Sequence, residues 1–257
     1  MNRIGELQEH GQAVWLDFLA RDFIAQGRLA ALVGDGLRGV TSNPSIFQKA
    51  IGSGDEYDAA FAALLKEGDR PVTALYEAVA VEDIQNAADV LRPVYDSLDG
   101  RDGFVSIEVS PYLAHDTEAT IAEARRLWSA VGRPNLMVKV PGTAEGLPAI
   151  EELTAQGINV NITLLFSQGI HRQVLDAYMA GLERFAASGG DLSGIASVAS
   201  IFVSRIDTEA DKRIDERIAQ GGDKARLAAL KGKVAIANAK LAYADYQRLF
   251  AGARWQR

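Results

Sequence analysis

The stretch that best predicts the fold is Asn135-Leu136-Met137-Val138-Lys139-Val140-Pro141. It is a short apolar run bounded by Pro134 and by Pro141-Gly142, which is the pattern of a buried strand. A lysine inside such a strand is unfavourable unless it is paired, because desolvation disfavours the ammonium. The same desolvation frees the amine of Lys139 to act as a Schiff-base nucleophile. The alternative is a side chain that extends past the strand end to a surface salt bridge.

The composition restricts the classes of protein to which this chain can belong. Its 257 residues are 48% hydrophobic, which is enough for one large core or two small ones. A net charge of -7 argues against nucleic acid or an anionic membrane as the main partner. The absence of cysteine excludes disulfides and thiolate metal ligands. With no long apolar run and no signal-peptide core, we expect a soluble cytoplasmic protein.

Short apolar runs alternate along the chain with longer amphipathic runs, which are predicted as helices. Residues 55–98 contain no strand pattern and are predicted as a helical insertion of two or three helices. Two charged helices, at about 207–220 and 223–250, are predicted after the last strand. The whole chain, 1–257, is interpreted as a single domain. The six predicted strands cover residues 13–17, 37–41, 103–109, 135–141, 158–164 and 195–203.

A regular alternation of strands and helices indicates an α/β fold with a parallel sheet covered by helices. Of the two architectures with this pattern, a doubly wound sheet usually has a glycine-rich phosphate loop after strand one. Here that position is Leu16-Asp17-Phe18-Leu19, so we favour a TIM-type (β/α)8 barrel, of which about six strands are present. In such a barrel the carboxyl ends of the strands hold the reactive groups. The polar residues near those ends are Asp17, Thr41, Glu108, Lys139, Asn161 and Thr163.

Three motifs together resemble a known family. They are Thr41-Ser42-Asn43-Pro44-Ser45, Val138-Lys139-Val140, and Asn159-Val160-Asn161-Ile162-Thr163-Leu164-Leu165-Phe166-Ser167. The combination resembles the transaldolases, Schiff-base enzymes of the pentose phosphate pathway, over essentially the whole chain from Gly11. The opening and the long helical insertion are similar to the branch that also occurs fused to glucose-6-phosphate isomerase.

The resemblance implies a transferase of carbohydrate metabolism that works without a cofactor or metal. Such an enzyme moves a dihydroxyacetone unit from fructose 6-phosphate or sedoheptulose 7-phosphate to erythrose 4-phosphate or glyceraldehyde 3-phosphate. Lys139 matches the family's Schiff-base lysine. Glu108 matches its acid/base, which is expected to act through a water that Thr163 helps to hold. Asp17 matches the carboxylate that assists carbon–carbon cleavage. The residues that match substrate-binding positions are Thr41, Asn43, Asn161, Ser200, Phe202 and Arg205.

Each of these roles has a purely structural alternative. Asp17 can cap a helix at Phe18, and Glu108, in an alternating strand, can face solvent. Asn161 and Thr163 share one face of their strand, and that face is either a polar lining or plain surface.

Arg205 matches the residue that binds the substrate phosphate, where a guanidinium fork suits the phosphate oxygens. Its alternative is a surface ion pair with Asp207 or Glu209, which would contribute little. The three histidines, which form no metal or triad pattern and are predicted to be surface residues, are His10, His115 and His171.

The chain also departs from the family. Complete members have a seventh strand, which adds a serine and a basic residue to the phosphate site, and an eighth strand that closes the barrel. Neither pattern follows Arg257. We therefore expect an incomplete barrel with an exposed edge on strand six, and a site in which the Schiff-base half is encoded and the phosphate half is incomplete. The alternatives are an inactive truncated fragment, a fragment completed by another chain, a homodimer, and a Schiff-base aldolase that cleaves without transfer.

Overall fold

The computed structural model describes residues 3–257, in which six parallel strands form one sheet in the order β1-β2-β3-β4-β5-β6. Each strand pairs with the next one along the chain, and the sheet curls into a half-barrel. A doubly wound sheet would reverse its order at a switch point, so the predicted α/β barrel architecture is confirmed. The strands are β1 (Trp15–Asp17), β2 (Gly39–Thr41), β3 (Val105–Glu108), β4 (Leu136–Pro141), β5 (Val160–Leu165) and β6 (Ser197–Ile201).

Helices separate the strands and cover the sheet. The first six, of which α4 to α6 form the crossover between β2 and β3, are α1 (Arg3–Glu9), α2 (Arg21–Ala25), α3 (Arg28–Gly34), α4 (Pro44–Gly52), α5 (Asp58–Lys66) and α6 (Val72–Ser97). The others are α7 (Thr117–Val131), α8 (Gly146–Ala155), α9 (Gln168–Ala187), α10 (Ser204–Ala219), α11 (Lys224–Ala228) and α12 (Val234–Phe250). None of the helices within residues 3–257 is long and apolar enough to cross a membrane.

Two of the predicted helices are each divided in the structure. The helix predicted after strand one is α2 followed by α3, with Gly27 between them at φ 72°. The helix predicted at 223–250 is α11 followed by α12, with Gly232 between them at φ 67°. A positive φ interrupts a right-handed helix and is accessible mainly to glycine, so these two glycines explain the breaks. The predicted strands also extend beyond the observed ones at most of their ends.

The register of the sheet separates polar from apolar side chains. Glu108 pairs with Lys139, and Lys139 pairs with Asn161. Because side chains alternate along each strand and paired residues share a face, these residues form one polar row on the inner face. Their neighbours along the strands, such as Val138 and Val160, are fully buried on the opposite face, in the core that the helices cover. The inner face of the half-barrel is therefore the polar face.

A buried carboxylate attaches the helical crossover to the start of the barrel. Asp83 of α6 is fully buried and accepts hydrogen bonds from the Tyr57 hydroxyl at 2.7 Å and from Arg21 Nε at 2.9 Å. Burial raises the pKa of Asp83, and the hydroxyl and the guanidinium partly offset that rise. Removing one partner of such a pair leaves an uncompensated buried charge, so α2, α6 and the segment before α5 are held in one arrangement.

The sheet has one irregularity, and it lies at the carboxyl end of β5. From Ile162 to Leu165 the strand advances three residues, whereas β6 advances only from Ala199 to Ile201. The extra residue is Leu164, whose φ of 62° lies in the left-handed region. A bulge of this kind reverses the faces of the residues that follow it. Leu165 consequently lies in the apolar core, fully buried.

The edge predicted for strand six is present. Within residues 3–257, β6 hydrogen-bonds to β5 on one side only, and its residues are half-buried along the whole strand.

The left-handed backbone at Leu164 generates a stability prediction. Leu164→Gly is expected to raise the free energy of unfolding by about 1 kcal/mol, because a left-handed non-glycine residue costs about 1–3 kcal/mol. Leu164→Val is expected to lower the same free energy by about 1 kcal/mol, since a β-branched side chain tolerates this backbone least. Urea denaturation measures both. Equal free energies of unfolding for the two variants would contradict a left-handed backbone at this position.

Candidate active site

Lys139 lies in the middle of the inner face, and its side chain is only 8% exposed. Its Nζ donates a hydrogen bond to the Ser42 carbonyl oxygen at 3.0 Å and lies 3.4 Å from Glu108 Oε2. The predicted burial of this lysine is confirmed, and the alternative of a surface salt bridge is wrong. An amine held beside a carboxyl group in a partly desolvated site is suited to nucleophilic chemistry.

Glu108 ends β3, and its side chain is 16% exposed, so the solvent-facing alternative is also wrong. Burial raises the pKa of Glu108 above the ordinary range of a glutamate. The Lys139 ammonium opposes this rise, the Asp17 carboxylate adds to it, and the Arg205 guanidinium has the smallest effect, which lowers the pKa. A carboxyl group whose pKa is raised in this way can both donate and accept a proton closer to neutral pH.

A chain of side-chain hydrogen bonds orients Asn161 across three strands. Asn161 Nδ2 donates to Ser106 Oγ at 3.0 Å, and Ser200 Oγ donates to Asn161 Oδ1 at 2.8 Å. The Ser106 carbonyl oxygen in turn accepts a bond from Ser42 Oγ at 2.8 Å. The sequence reasoning missed Ser42 and Ser106 as site residues. The signal for Ser106 was its position two residues before Glu108, which places it on the same face.

The end of β2 contributes two of the predicted residues. Thr41 pairs with Asp17 of β1 and with Ser106 of β3, and its buried Oγ1 has no hydrogen-bond partner within the described residues. Asn43 caps α4, because its Oδ1 accepts a bond from Ile46 N at 3.0 Å. That cap uses the carbonyl oxygen of the Asn43 amide and leaves its NH₂ group as a donor.

Asp17 and Thr163 lie on either side of this cluster. Asp17 ends β1 and is exposed, and its charge acts on Glu108. It does not cap the following helix, since α2 begins at Arg21 with Ala20 as its N-cap residue, so the capping alternative is wrong. Thr163 is 3% exposed and shares the inner face with the buried Asn161, which makes that face a polar lining and not plain surface.

A cavity of about 310 Å³ extends from the cluster toward α6 and α7, and Ser42, Asn43 and Glu108 form part of its wall. Tyr76 of α6 lies on the far wall of this cavity. Burial raises the pKa of Tyr76 to about 12, and the nearby Glu108 and Glu77 carboxylates contribute to that rise. Glu108 therefore borders this cavity as well as contacting Lys139.

Phe202 and Arg205 follow β6 and form a stack at the edge of the site. The Phe202 ring stacks on the Phe166 ring, with centroids 5.0 Å apart and 21° between the planes. The Arg205 guanidinium lies 4.4 Å from the centroid of the Phe202 ring. The surface pair proposed as an alternative for Arg205 is wrong for the described residues. Glu209 pairs with Arg213 instead, and Asp207 accepts a hydrogen bond from the backbone of Ala235.

One of the three histidines contradicts the sequence prediction. His171 is 3% exposed, and burial lowers its pKa while the Asp245 carboxylate opposes that effect. It shares the buried face of α9 with Val174 and Tyr178, which helical spacing explains. His10 and His115 are exposed, as predicted.

Comparison with known proteins identifies close relatives. The family model described as Transaldolase/Fructose-6-phosphate aldolase matches residues 14–255. Transaldolase 2 of Nostoc sp. is 50% identical over 261 residues, which is 100% of this chain and 68% of the relative. Transaldolase 1 of Streptomyces avermitilis is 53% identical over 256 residues, covering 99% of this chain and 66% of the relative. The chain thus spans about two thirds of the length of these relatives.

The contact between Lys139 and Glu108 generates a prediction about protonation. In Lys139→Met, the pKa of Glu108 is expected to rise further, because the ammonium that favours the ionised carboxylate has been removed. Carbon-13 NMR of labelled glutamate carboxyl groups measures the titration, with Glu108→Gln assigning the signal.

The exposed Lys240 provides the matched control, since Lys240→Met should leave the Glu108 titration unchanged. A pKa of Glu108 that falls or stays constant in Lys139→Met would show that the two groups do not interact.

Proposed function

Because the chain belongs to the transaldolase/fructose-6-phosphate aldolase family, we propose that its transaldolase reaction proceeds through a Schiff base on Lys139. The observation that carries the proposal is the position of Nζ, which is buried on the polar inner face 3.4 Å from the Glu108 carboxyl group. The proposed reaction moves a dihydroxyacetone unit from fructose 6-phosphate or sedoheptulose 7-phosphate. The acceptor is erythrose 4-phosphate or glyceraldehyde 3-phosphate.

The first stage forms the Schiff base. Transfer of one proton from the Lys139 ammonium to Glu108 leaves a neutral amine beside a neutral carboxyl group. The amine attacks the ketose carbonyl carbon, and proton transfer from nitrogen to oxygen gives a carbinolamine. Glu108 then donates its proton to the carbinolamine hydroxyl, which leaves as water and produces the iminium. A positioned acid/base of this kind contributes about 10²–10⁴-fold to the rate.

The second stage breaks and reforms a carbon–carbon bond. Asp17 removes the proton from the hydroxyl on the carbon beyond the bond that breaks, and the electron pair of that bond moves to the iminium. The products are a free aldose phosphate and an enamine of dihydroxyacetone on Lys139. Attack of the enamine on an acceptor aldehyde reverses these steps, and water releases the new ketose.

The remaining predicted residues bind the substrate in this scheme. Asn161, whose amide the two serine hydroxyls orient, hydrogen-bonds the dihydroxyacetone hydroxyls together with Asn43. Thr41 supports them through its buried hydroxyl, and Thr163 helps to hold the water through which Glu108 acts. Arg205 binds the substrate phosphate, for which a guanidinium fork is suited.

We propose the cytoplasm as the location and sugar phosphates as the partners, with no cofactor, nucleic acid or membrane. The unpaired side of β6 supports association with a further chain, either as a homodimer or as completion of the barrel. Sedimentation velocity of this chain tests the homodimer, and a monomer at all concentrations would contradict that alternative.

Borohydride reduction in the presence of fructose 6-phosphate is expected to produce a stable adduct on Lys139, because reduction converts the iminium to a secondary amine. Peptide mass spectrometry locates the adduct. Lys139→Ala should abolish it, whereas Glu108→Gln should slow its formation by about 10²–10⁴-fold.

An adduct on a different lysine would contradict the assignment of Lys139. The absence of any adduct from a well-folded sample would favour the inactive-fragment alternative.

Supplying an acceptor distinguishes transfer from simple cleavage. With fructose 6-phosphate and erythrose 4-phosphate, the chain is expected to form sedoheptulose 7-phosphate, because the enamine on Lys139 is held in place until an aldehyde arrives. Chromatography of the products measures this. Free dihydroxyacetone as the main product would identify a Schiff-base aldolase without transfer.

A further inference from the structure

Phe166 follows β5 directly, just beyond the bulge at Leu164. Without the extra residue, strict alternation would place Phe166 on the same face as Ile162, against the helices. The bulge reverses this order, so that Leu165 enters the apolar core and Phe166 faces the other side. There its ring stacks on Phe202. The irregularity in β5 is thus what brings the Phe166 ring to the edge of the site.

The rings and the guanidinium form a continuous stack of three groups. Phe166 lies against Phe202 with nearly parallel planes, and Arg205 lies over the Phe202 ring. Arg205 is itself exposed, and its charge lowers the pKa of Glu108. The guanidinium is therefore held at the site by a ring face and not by a carboxylate of the described residues.

An exposed arginine needs such support to bind a phosphate well. Its long side chain has many rotamers, and ordering it on binding reduces affinity. An aromatic face attracts the guanidinium and orients its plane while leaving its N–H groups available for an anion. Phe202 can do this only if its own ring is held, and Phe166 is the aromatic group that contacts it.

The exposure of Phe166 argues against a role in filling the core. Phe166 is 43% exposed, so its ring is not part of the buried core. The hydrogen bond that Asn238 Nδ2 donates to the Phe166 carbonyl oxygen, at 3.0 Å, involves only the backbone of Phe166. A substitution of the side chain therefore leaves the local hydrogen bonding in place.

We propose that Phe166 is a positioning residue for the phosphate of the substrate: it holds the Phe202 ring, which in turn holds the Arg205 guanidinium. The proposal rests on the function proposed above, in which Arg205 binds that phosphate. In this role Phe166 acts through Phe202 and Arg205 and takes no part in the bond-making steps. Its effect is consequently restricted to substrates that have a phosphate group.

The test compares two donors of the same dihydroxyacetone unit. Borohydride trapping on Lys139 is measured as a function of fructose 6-phosphate concentration, and separately of dihydroxyacetone, which has no phosphate. In Phe166→Leu, the half-saturating concentration of fructose 6-phosphate is expected to rise roughly twofold to fivefold, the equivalent of an exposed cation–π contact. The value for dihydroxyacetone and the maximal extent of trapping should not change.

Two further variants separate positioning from general stability. Phe166→Tyr keeps the ring and should restore the affinity for fructose 6-phosphate. Tyr243→Leu removes an exposed ring that stacks on Tyr246 away from the site, and it should leave both concentration dependences unchanged. Equal changes for fructose 6-phosphate and dihydroxyacetone in Phe166→Leu, or no change for either, would overturn the proposal.

Calorimetric binding distinguishes failure of this inference from failure of the Schiff-base proposal. If the unaltered chain forms no adduct, the Schiff-base proposal is wrong, and the affinity for fructose 6-phosphate relative to fructose then decides the role of Phe166. The same loss of roughly twofold to fivefold in Phe166→Leu, confined to the phosphorylated sugar, supports the inference. An unchanged affinity overturns it.

Discussion

The structure depends on the register of β3, β4 and β5, which places Glu108, Lys139 and Asn161 in one row across the sheet. A shift of one residue in any of these strands would turn its polar side chains toward the helices and its valines toward the site. The apolar residues of the opposite face, packed under the helices, oppose any such shift. The same apolar core that stabilises the fold therefore also sets the positions of the reactive groups.

The pairing of Lys139 with Glu108 is better understood as a functional feature than as a stabilising one. In a buried ion pair, the attraction between the charges is often no larger than the free-energy cost of removing them from water. For Glu108 that cost exceeds the attraction of the ammonium, since the pKa of the carboxyl group is raised overall. The apolar packing of the strands and helices therefore keeps the two groups in contact. Burial raises the pKa of Asp83 in the same way, and its two donors lie outside the site.

Irregular backbone at the carboxyl ends of β2 and β5 places further groups at the site. The turn after β2 supplies the Ser42 carbonyl oxygen to Lys139 and the Asn43 cap to α4. The bulge at Leu164 turns Phe166 out of the core and onto Phe202. Backbone that departs from ideal geometry is concentrated near functional groups in many proteins, and here it follows directly after Thr163. Regular strands place the reacting groups, and irregular backbone places the groups around them.

Features that depend on neighbours along the chain could be predicted from the amino-acid sequence. The apolar run around Lys139 predicted its burial, and the spacing of Asn161 and Thr163 predicted their shared face. The order of strands and helices predicted the parallel sheet. Three other features became visible only in the folded chain. They are the contact of Lys139 with a carbonyl oxygen 97 positions away, the Ser106–Asn161–Ser200 chain of hydrogen bonds, and the burial of His171. Local periodicity is a property of each segment, whereas these contacts arise from the register and packing of segments that are distant in sequence.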